Sequence, residues 1–325
     1  MSKTDPVEAA LNAIGELRAA RSPGDAAAQL LPYLKNRSNL VVAKAAKVAG
    51  ELQLSSLLPD LLGAFDRLWV NPAKLDKRCA ATTEIVNVLY ELDYTEPHAY
   101  LRGIGHVQKE GSFGPPVDVA AKLRGMCAQG LLRTRAADRM ELVVNLLVDT
   151  ETLARLGAVR ALALNGGEAG VLLLRLKILT GDDDTEVISE CFAGLFAAAP
   201  QQSVNFVATY MDSKDGAIAE AAMWALGQSR QTAAFAALKD KWERTAERPV
   251  RKVLIAALAA SRLEEAIEYL VTQLVRVDVR TADDILASLS SYAGGESMRQ
   301  TIADAVRERD EPTVTKRFEE LFEQR

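Results

Sequence analysis

Two histidines, His98 and His106, are the only imidazoles in 325 residues, and imidazole is the side chain most often used to bind a transition metal or move a proton near neutral pH. Their spacing of eight would set both on one face of a continuous helix, but Gly103 and Gly105 intervene and weaken that helix. Neither belongs to an HExxH motif or a His-Glu pair, so they read as solvated or capping groups. The densest acid cluster, Asp182 to Asp184, stands where one helical segment ends and the next begins, the place for aspartates that cap a helix N-terminus. The glycine pairs Gly166-Gly167 and Gly294-Gly295 fall at turns, and no GxxxxGK[ST] or GxGxxG motif frames a phosphate. No catalytic residue, metal site or cofactor is expected.

The remaining chemistry is electrostatic. Between Arg67 and Arg139 lie eleven Lys or Arg and eight acids, a net of +3 inside a chain of net charge −5. Trp69, Tyr94, Tyr100 and Phe113 are interleaved with them. A basic and aromatic patch could recognise an acidic peptide, a phosphorylated segment or a short stretch of nucleic acid; a solvated loop region that merely varies in charge is the alternative. Trp69, Lys74, Lys77, Arg78 and Lys109 are the expected contact residues.

These residues must be positioned by helices. From about residue 120 a leucine recurs near the end of a short helical segment: Leu131, Leu162, Leu195, Leu226, Leu258 and Leu289, at steps of 31, 33, 31, 32 and 31. Such a period marks stacked helical pairs, because one pair cannot bury its own apolar face. Positions four and one before the leucine are small in four repeats, as in Cys127 and Gly130 or Ala158 and Ala161, a stripe that lets helices approach. A second helix follows with apolar residues nine, twelve and sixteen past the leucine, as in Val204, Val207 and Met211 or Phe235, Leu238 and Trp242. Earlier, looser units centre on Ile14, Ala49 and Leu89.

The expectation is therefore all-α: a single body over 1–325 of about nine helical-pair repeats. Repeats are looser over 1–118, with insertions at 67–77 and 106–117, and regular over 119–310. A capping helix at 311–325 would turn Val314, Phe318, Leu321 and Phe322 inward. In this frame Cys127 and Cys191 are structural thiols, Cys79 has no CxxC partner, Trp242 is core and Trp224 partly exposed.

The segments VVAKAAKVAGEL (Val41 to Leu52), LARLGAVRALAL (Leu153 to Leu164) and IAEAAMWALGQ (Ile218 to Gln228) resemble HEAT repeats, closest in style to short bacterial repeats of the phycobilisome-lyase type. Arg124, Arg155 and Arg251, each seven before its leucine, match the basic position of such repeats. The resemblance implies a right-handed α-solenoid superhelix with second helices on the concave face. It does not extend to the metal-dependent HEAT-repeat hydroxylases, whose histidine motifs are missing.

A non-catalytic scaffold or adaptor that binds a protein partner on its solenoid surface is the leading expectation. Repeat style alone suggests a bilin lyase or chaperone-like protein, and a DNA-repair glycosylase of the HEAT-like class would need a basic concave face around a flipped base. The acidic balance argues against an extended nucleic-acid footprint. No run near the N-terminus has signal-peptide length, and the longest aliphatic run, Val253 to Ala260, is too short to span a bilayer. A cytoplasmic location follows, which three unpaired cysteines suit.

Overall fold

The computed structural model describes residues 5–19, 23–111, 114–291 and 295–322; Phe113 and Gly294 lie outside the described residues. The chain forms two compact units, Met1–Leu173 and Leu174–Arg325. The first contains α1 (Pro6–Glu16), α2 (Pro23–Leu34), α3 (Asn39–Glu51), α4 (Leu58–Leu68), the short α5 (Pro72–Leu75), α6 (Ala80–Glu91), α7 (His98–Ile104), α8 (Ala121–Leu131), α9 (Arg139–Leu146) and α10 (Thr152–Asn165). Between α7 and α8 runs an antiparallel ribbon, β1 (Lys109–Glu110) and β2 (Val117–Asp118), with Lys109 opposite Asp118. This ribbon is the departure from an all-α chain among the described residues.

Helix α11 (Gly167–Thr180) begins in the first unit and ends in the second. The second unit continues with α12 (Thr185–Ala198), α13 (Pro200–Ala208), α14 (Gly216–Gln228), α15 (Thr232–Arg244), α16 (Arg248–Ser261), α17 (Glu264–Arg276), α18 (Val279–Ser290), α19 (Glu296–Arg309) and α20 (Pro312–Phe322).

The repeat frame is the packing frame. All nine recurrent positions, from Ile14 and Ala49 to Leu258 and Leu289, have 0% exposure. In the first unit α1, α3, α6, α8 and α10 pack in succession, and in the second α12, α14, α16, α18 and α20 do the same. The second-helix stripe is buried at Val143 and Leu147, Leu174 and Ile178, Leu238 and Trp242, and Leu270 and Leu274. At the end of the chain α20 buries Val314, Phe318 and Phe322, while Leu321, expected inward, is half-buried.

The arginine seven before the leucine is a staple between a helix and the turn before it. Arg155 Nη1 donates to the Asp149 carbonyl at 2.8 Å, Arg251 Nε to the Thr245 carbonyl at 2.9 Å, and Arg124 Nη1 to the Asp118 carboxylate at 2.6 Å. In each case the acceptor lies six residues upstream. A guanidinium can hold such a turn because its planar fork keeps several donors in fixed directions.

Close approach of backbones uses glycines that the small-residue stripe does not contain. Gly125 on α8 and Gly157 on α10 meet so tightly that a methyl on Gly157 would lie 2.1 Å from the Gly125 Cα. Gly130, which does belong to the stripe, serves a different end: a methyl there would lie 2.1 Å from Tyr100 Cε1. It makes room for a fully buried ring rather than for a neighbouring backbone.

Candidate functional site

The segments 67–77 and 106–117 meet each other. After α5 the chain turns through Arg78 and Cys79, both left-handed at φ 60° and 51°. Two successive non-glycine residues in that region persist only where their surroundings hold them. Here Asp76, 1% exposed, reaches forward and caps α6, accepting from the N–H groups of Ala81 at 2.9 Å and Thr82 at 2.8 Å. The same carboxylate accepts from Thr82 Oγ1 and from Asn39 Nδ2 on α3. From the other insertion, Gln108 Nε2 donates to the Asp76 carbonyl at 3.0 Å and to Glu110 Oε1 at 2.6 Å. Glu110 Oε1 also takes the N–H of Arg78 at 2.8 Å.

The ribbon is tied to the helices behind it by a buried charge cluster. Arg124 donates to Asp118 at 2.6 Å and, in a two-pronged contact, to both carboxylate oxygens of Asp149 at 2.9 Å. The Arg124 and Asp118 side chains are 3% and 8% exposed. Burial works to raise the Asp118 pKa, but hydrogen bonds from the Ala120 N–H, the Arg124 guanidinium and the Gln108 N–H outweigh it and hold the carboxyl below its ordinary value.

Of the five expected contact residues, Trp69 closes α4 and is half-buried. Its ring stands edge-on to His106 at 4.5 Å and beneath the Arg102 guanidinium at 5.3 Å. His106 in turn meets Gln108 at 3.2 Å. Contacts therefore run from Trp69 through His106 and Gln108 to Asp76, Glu110 and Arg78. Lys74, Lys77, Arg78 and Lys109 are exposed, and among the described residues none of their side chains makes an ion pair. Beside Lys109, Val107 and Val117 face Val148, Thr150 and Glu151 across a cleft of about 630 Å³. The three valines are 56%, 62% and 79% exposed.

Other members of the basic region do structural work. Arg67 donates to the carbonyls of Leu34 and Asn36 at the end of α2, and Arg133 binds the Tyr90 carbonyl and Asp93. Tyr100 is fully buried, its hydroxyl donating to the Tyr94 carbonyl at 3.0 Å, and is no surface aromatic. His98 lies against Asp66 at 3.1 Å. Among the described residues no three His, Cys, Asp or Glu side chains converge as metal ligands. All three thiols are buried; burial pushes Cys79 and Cys191 up to about 12, Asp76 adding to the effect at Cys79. In the acid cluster, Asp184 accepts the Glu186 N–H as the cap of α12 and Asp182 pairs with Lys177.

Asp76, Gln108, Glu110, Asp118 and Asp149 were not singled out by sequence reasoning. For Asp76 a signal existed, an aspartate just ahead of a helical run, although the left-handed turn displaces it from the usual capping position. Asp76→Ala strands two buried N–H donors and should lower stability by about 2–3 kcal/mol in chemical denaturation. Asp76→Asn keeps one acceptor oxygen and should lose less.

With the geometry in hand, comparison with known proteins identifies the repeats. Residues 172–259 match the model of the HEAT-repeat family. No curated protein matches the chain at a significant level. Among solved structures, human deoxyhypusine hydroxylase in complex with glycerol is 19% identical, covering 79% of this chain and 91% of that one, at a TM-score of 0.31. An engineered protein is 20% identical over 99% and 96% of the two chains, at a TM-score of 0.39. At such values neither likeness bears on what this chain does. No described helix is long and apolar enough to cross a membrane.

Proposed function

We propose that the protein is a non-catalytic HEAT-repeat scaffold that binds an acidic, partly apolar segment of a protein partner on its joined insertions. The observation that carries this reading is the placement of four uncommitted cations, Lys74, Lys77, Arg78 and Lys109, on segments pinned to one another and to the helices, with Lys109 lining a cleft that also holds three exposed valines. A loop whose charge merely drifted would not need two left-handed residues and a buried aspartate to hold it. Pre-organisation of this kind lowers the ordering penalty when a partner binds. Exposed valines add apolar contact that a purely electrostatic surface lacks, and the net charge of −5 disfavours a long nucleic-acid track.

The test is affinity capture from the native host lysate with and without nuclease treatment, comparing the unaltered chain with Lys74→Glu/Lys77→Glu/Arg78→Glu. The expected result is a stoichiometric protein partner retained by the former and reduced at least about tenfold by the charge reversal, with the helical circular dichroism signal unchanged. Equal capture by both chains would remove the insertions from consideration, and recovery of nucleic acid in place of protein would overturn the scaffold reading.

A further inference from the structure

We propose that the second unit carries a binding pocket for a phosphoryl oxyanion, a phosphomonoester being its ligand class. A cavity of about 330 Å³ is lined by α16, the beginning of α18 and the beginning of α20. Three helices bring four cations to it, Arg248, Arg280, Lys316 and Arg317, against the carboxylates of Asp283 and Glu320. Asp284, which pairs with Arg248, brings the carboxylates to three, so the cluster keeps an excess of one positive charge in an acidic chain.

The four cations differ in their commitments. Arg317 is held from two sides, its Nε donating to Asp283 at 2.6 Å and its Nη1 to Glu320 at 3.1 Å. Arg248 is anchored by Asp284 at 3.0 Å, a carboxylate only 10% exposed. These two guanidiniums are fixed in direction and keep further donors free, since each offers five. Arg280 and Lys316 are exposed and make no ion pair among the described residues. They supply charge, while Arg248 and Arg317 supply geometry.

A phosphoryl group matches this arrangement. Phosphoryl oxygens accept the paired donors of a guanidinium and can take a lysine as well. A monocarboxylate offers only two acceptor oxygens, fewer than the donors that four cations present, and an apolar ligand would desolvate cations without compensation. Thr313 adds a hydroxyl, and Val279 and Val314 give an apolar wall for the body that bears the phosphoryl group. The volume is at the small end of ligand sites, of the order of 300 Å³ and upward, enough for one phosphoryl group and a short body. The pocket lies wholly in the second unit and is independent of the insertions of the first.

Calorimetric titration of the full chain with inorganic phosphate, phenyl phosphate and a phosphoserine peptide tests it. Saturable binding of phosphate below about 10 mM is expected, with sulfate competing and acetate not. Arg280→Ala/Lys316→Ala should weaken binding at least about tenfold at an unchanged melting temperature. Lys74→Glu/Lys77→Glu/Arg78→Glu should leave phosphate binding intact. A phosphopeptide that binds far more tightly than phenyl phosphate assigns the anion to a phosphorylated protein, and equal affinities assign it to a small phosphomonoester. Absence of saturable binding, equal binding by the Arg280/Lys316 variant, or loss in the Lys74/Lys77/Arg78 variant would overturn the proposal.

Discussion

Replacement of Arg124 by methionine is expected to destabilise the first unit by about 3–5 kcal/mol, because it leaves Asp118 and Asp149 as buried carboxylates with no guanidinium between them. Methionine keeps most of the apolar volume of the stem, so the loss reports charge rather than a cavity. The effect has a defined pH dependence. Asp118 is depressed below its unfolded value in the intact chain, so its stabilising contribution is present above the ordinary aspartate pKa of about 4 and disappears as pH falls through the lower folded value. In the variant the carboxyl loses a strong donor and its burial is less opposed, so protonation relieves it. The gap between the two proteins should therefore be widest at pH 7 and should narrow near pH 4. Denaturation midpoints at both pH values measure it, and an equal gap at both would show that packing, not charge, is lost. Adding Asp118→Asn and Asp149→Asn to the variant should recover part of the deficit.

The same substitution connects stability to the proposed surface. Arg124 holds Asp118, which sits opposite Lys109 in the ribbon, and Gln108 reaches from that ribbon to Asp76. Loosening the ribbon would therefore free the residues that fix the turn at Arg78. Hydrogen exchange over the ribbon should accelerate in Arg124→Met before the rest of the unit opens.

The periodic part of this fold was legible because a buried stripe leaves a periodic trace: the nine recurrent positions, the second-helix stripe and the α20 face follow from apolar spacing alone. The pattern says less where apolar residues exceed what one stripe can bury. Helix α11 buries Leu174 and Ile178, yet it exposes Leu172, Leu176 and Leu179, and composition cannot separate the two sets. Broken spacing sets the segments 67–77 and 106–117 apart from the repeats, and of the surface candidates Trp69, Lys74, Lys77, Arg78 and Lys109 the four cations are exposed and Trp69 is half-buried. What the spacing could not convey is that the loops meet, since the contacts of Gln108 and Glu110 with Asp76 and Arg78 span some thirty residues and have no period. Nor could it separate cations that staple turns, such as Arg67 and Arg124, from those left uncommitted. The family match covers residues 172–259, within the regular stretch and away from the insertions.

The glycines supply the sharpest contrast in expected mutational effect. Gly157→Ala should destabilise the first unit by about 3 kcal/mol or more, the upper range of overpacking, because the new methyl would meet backbone atoms of Gly125 at 2.1–2.8 Å and backbone cannot rotate aside. The only relief is separation of α8 from α10, which would also strain the Arg124 contact to Asp149 in the turn before α10. Gly63→Ala is the matching control. Gly63 is exposed within α4, and a methyl there would have no neighbour within 4 Å. Alanine should therefore stabilise the chain by about 0.5–1 kcal/mol through helix propensity and a more restricted unfolded state. One chemical change thus gives opposite signs at two helical positions, and paired denaturation curves decide it. If Gly157→Ala proved as mild as Gly63→Ala, the close approach of α8 and α10 would be refuted. The burial of Arg124 would then need another cause, since the distance between these helices sets how little water reaches it.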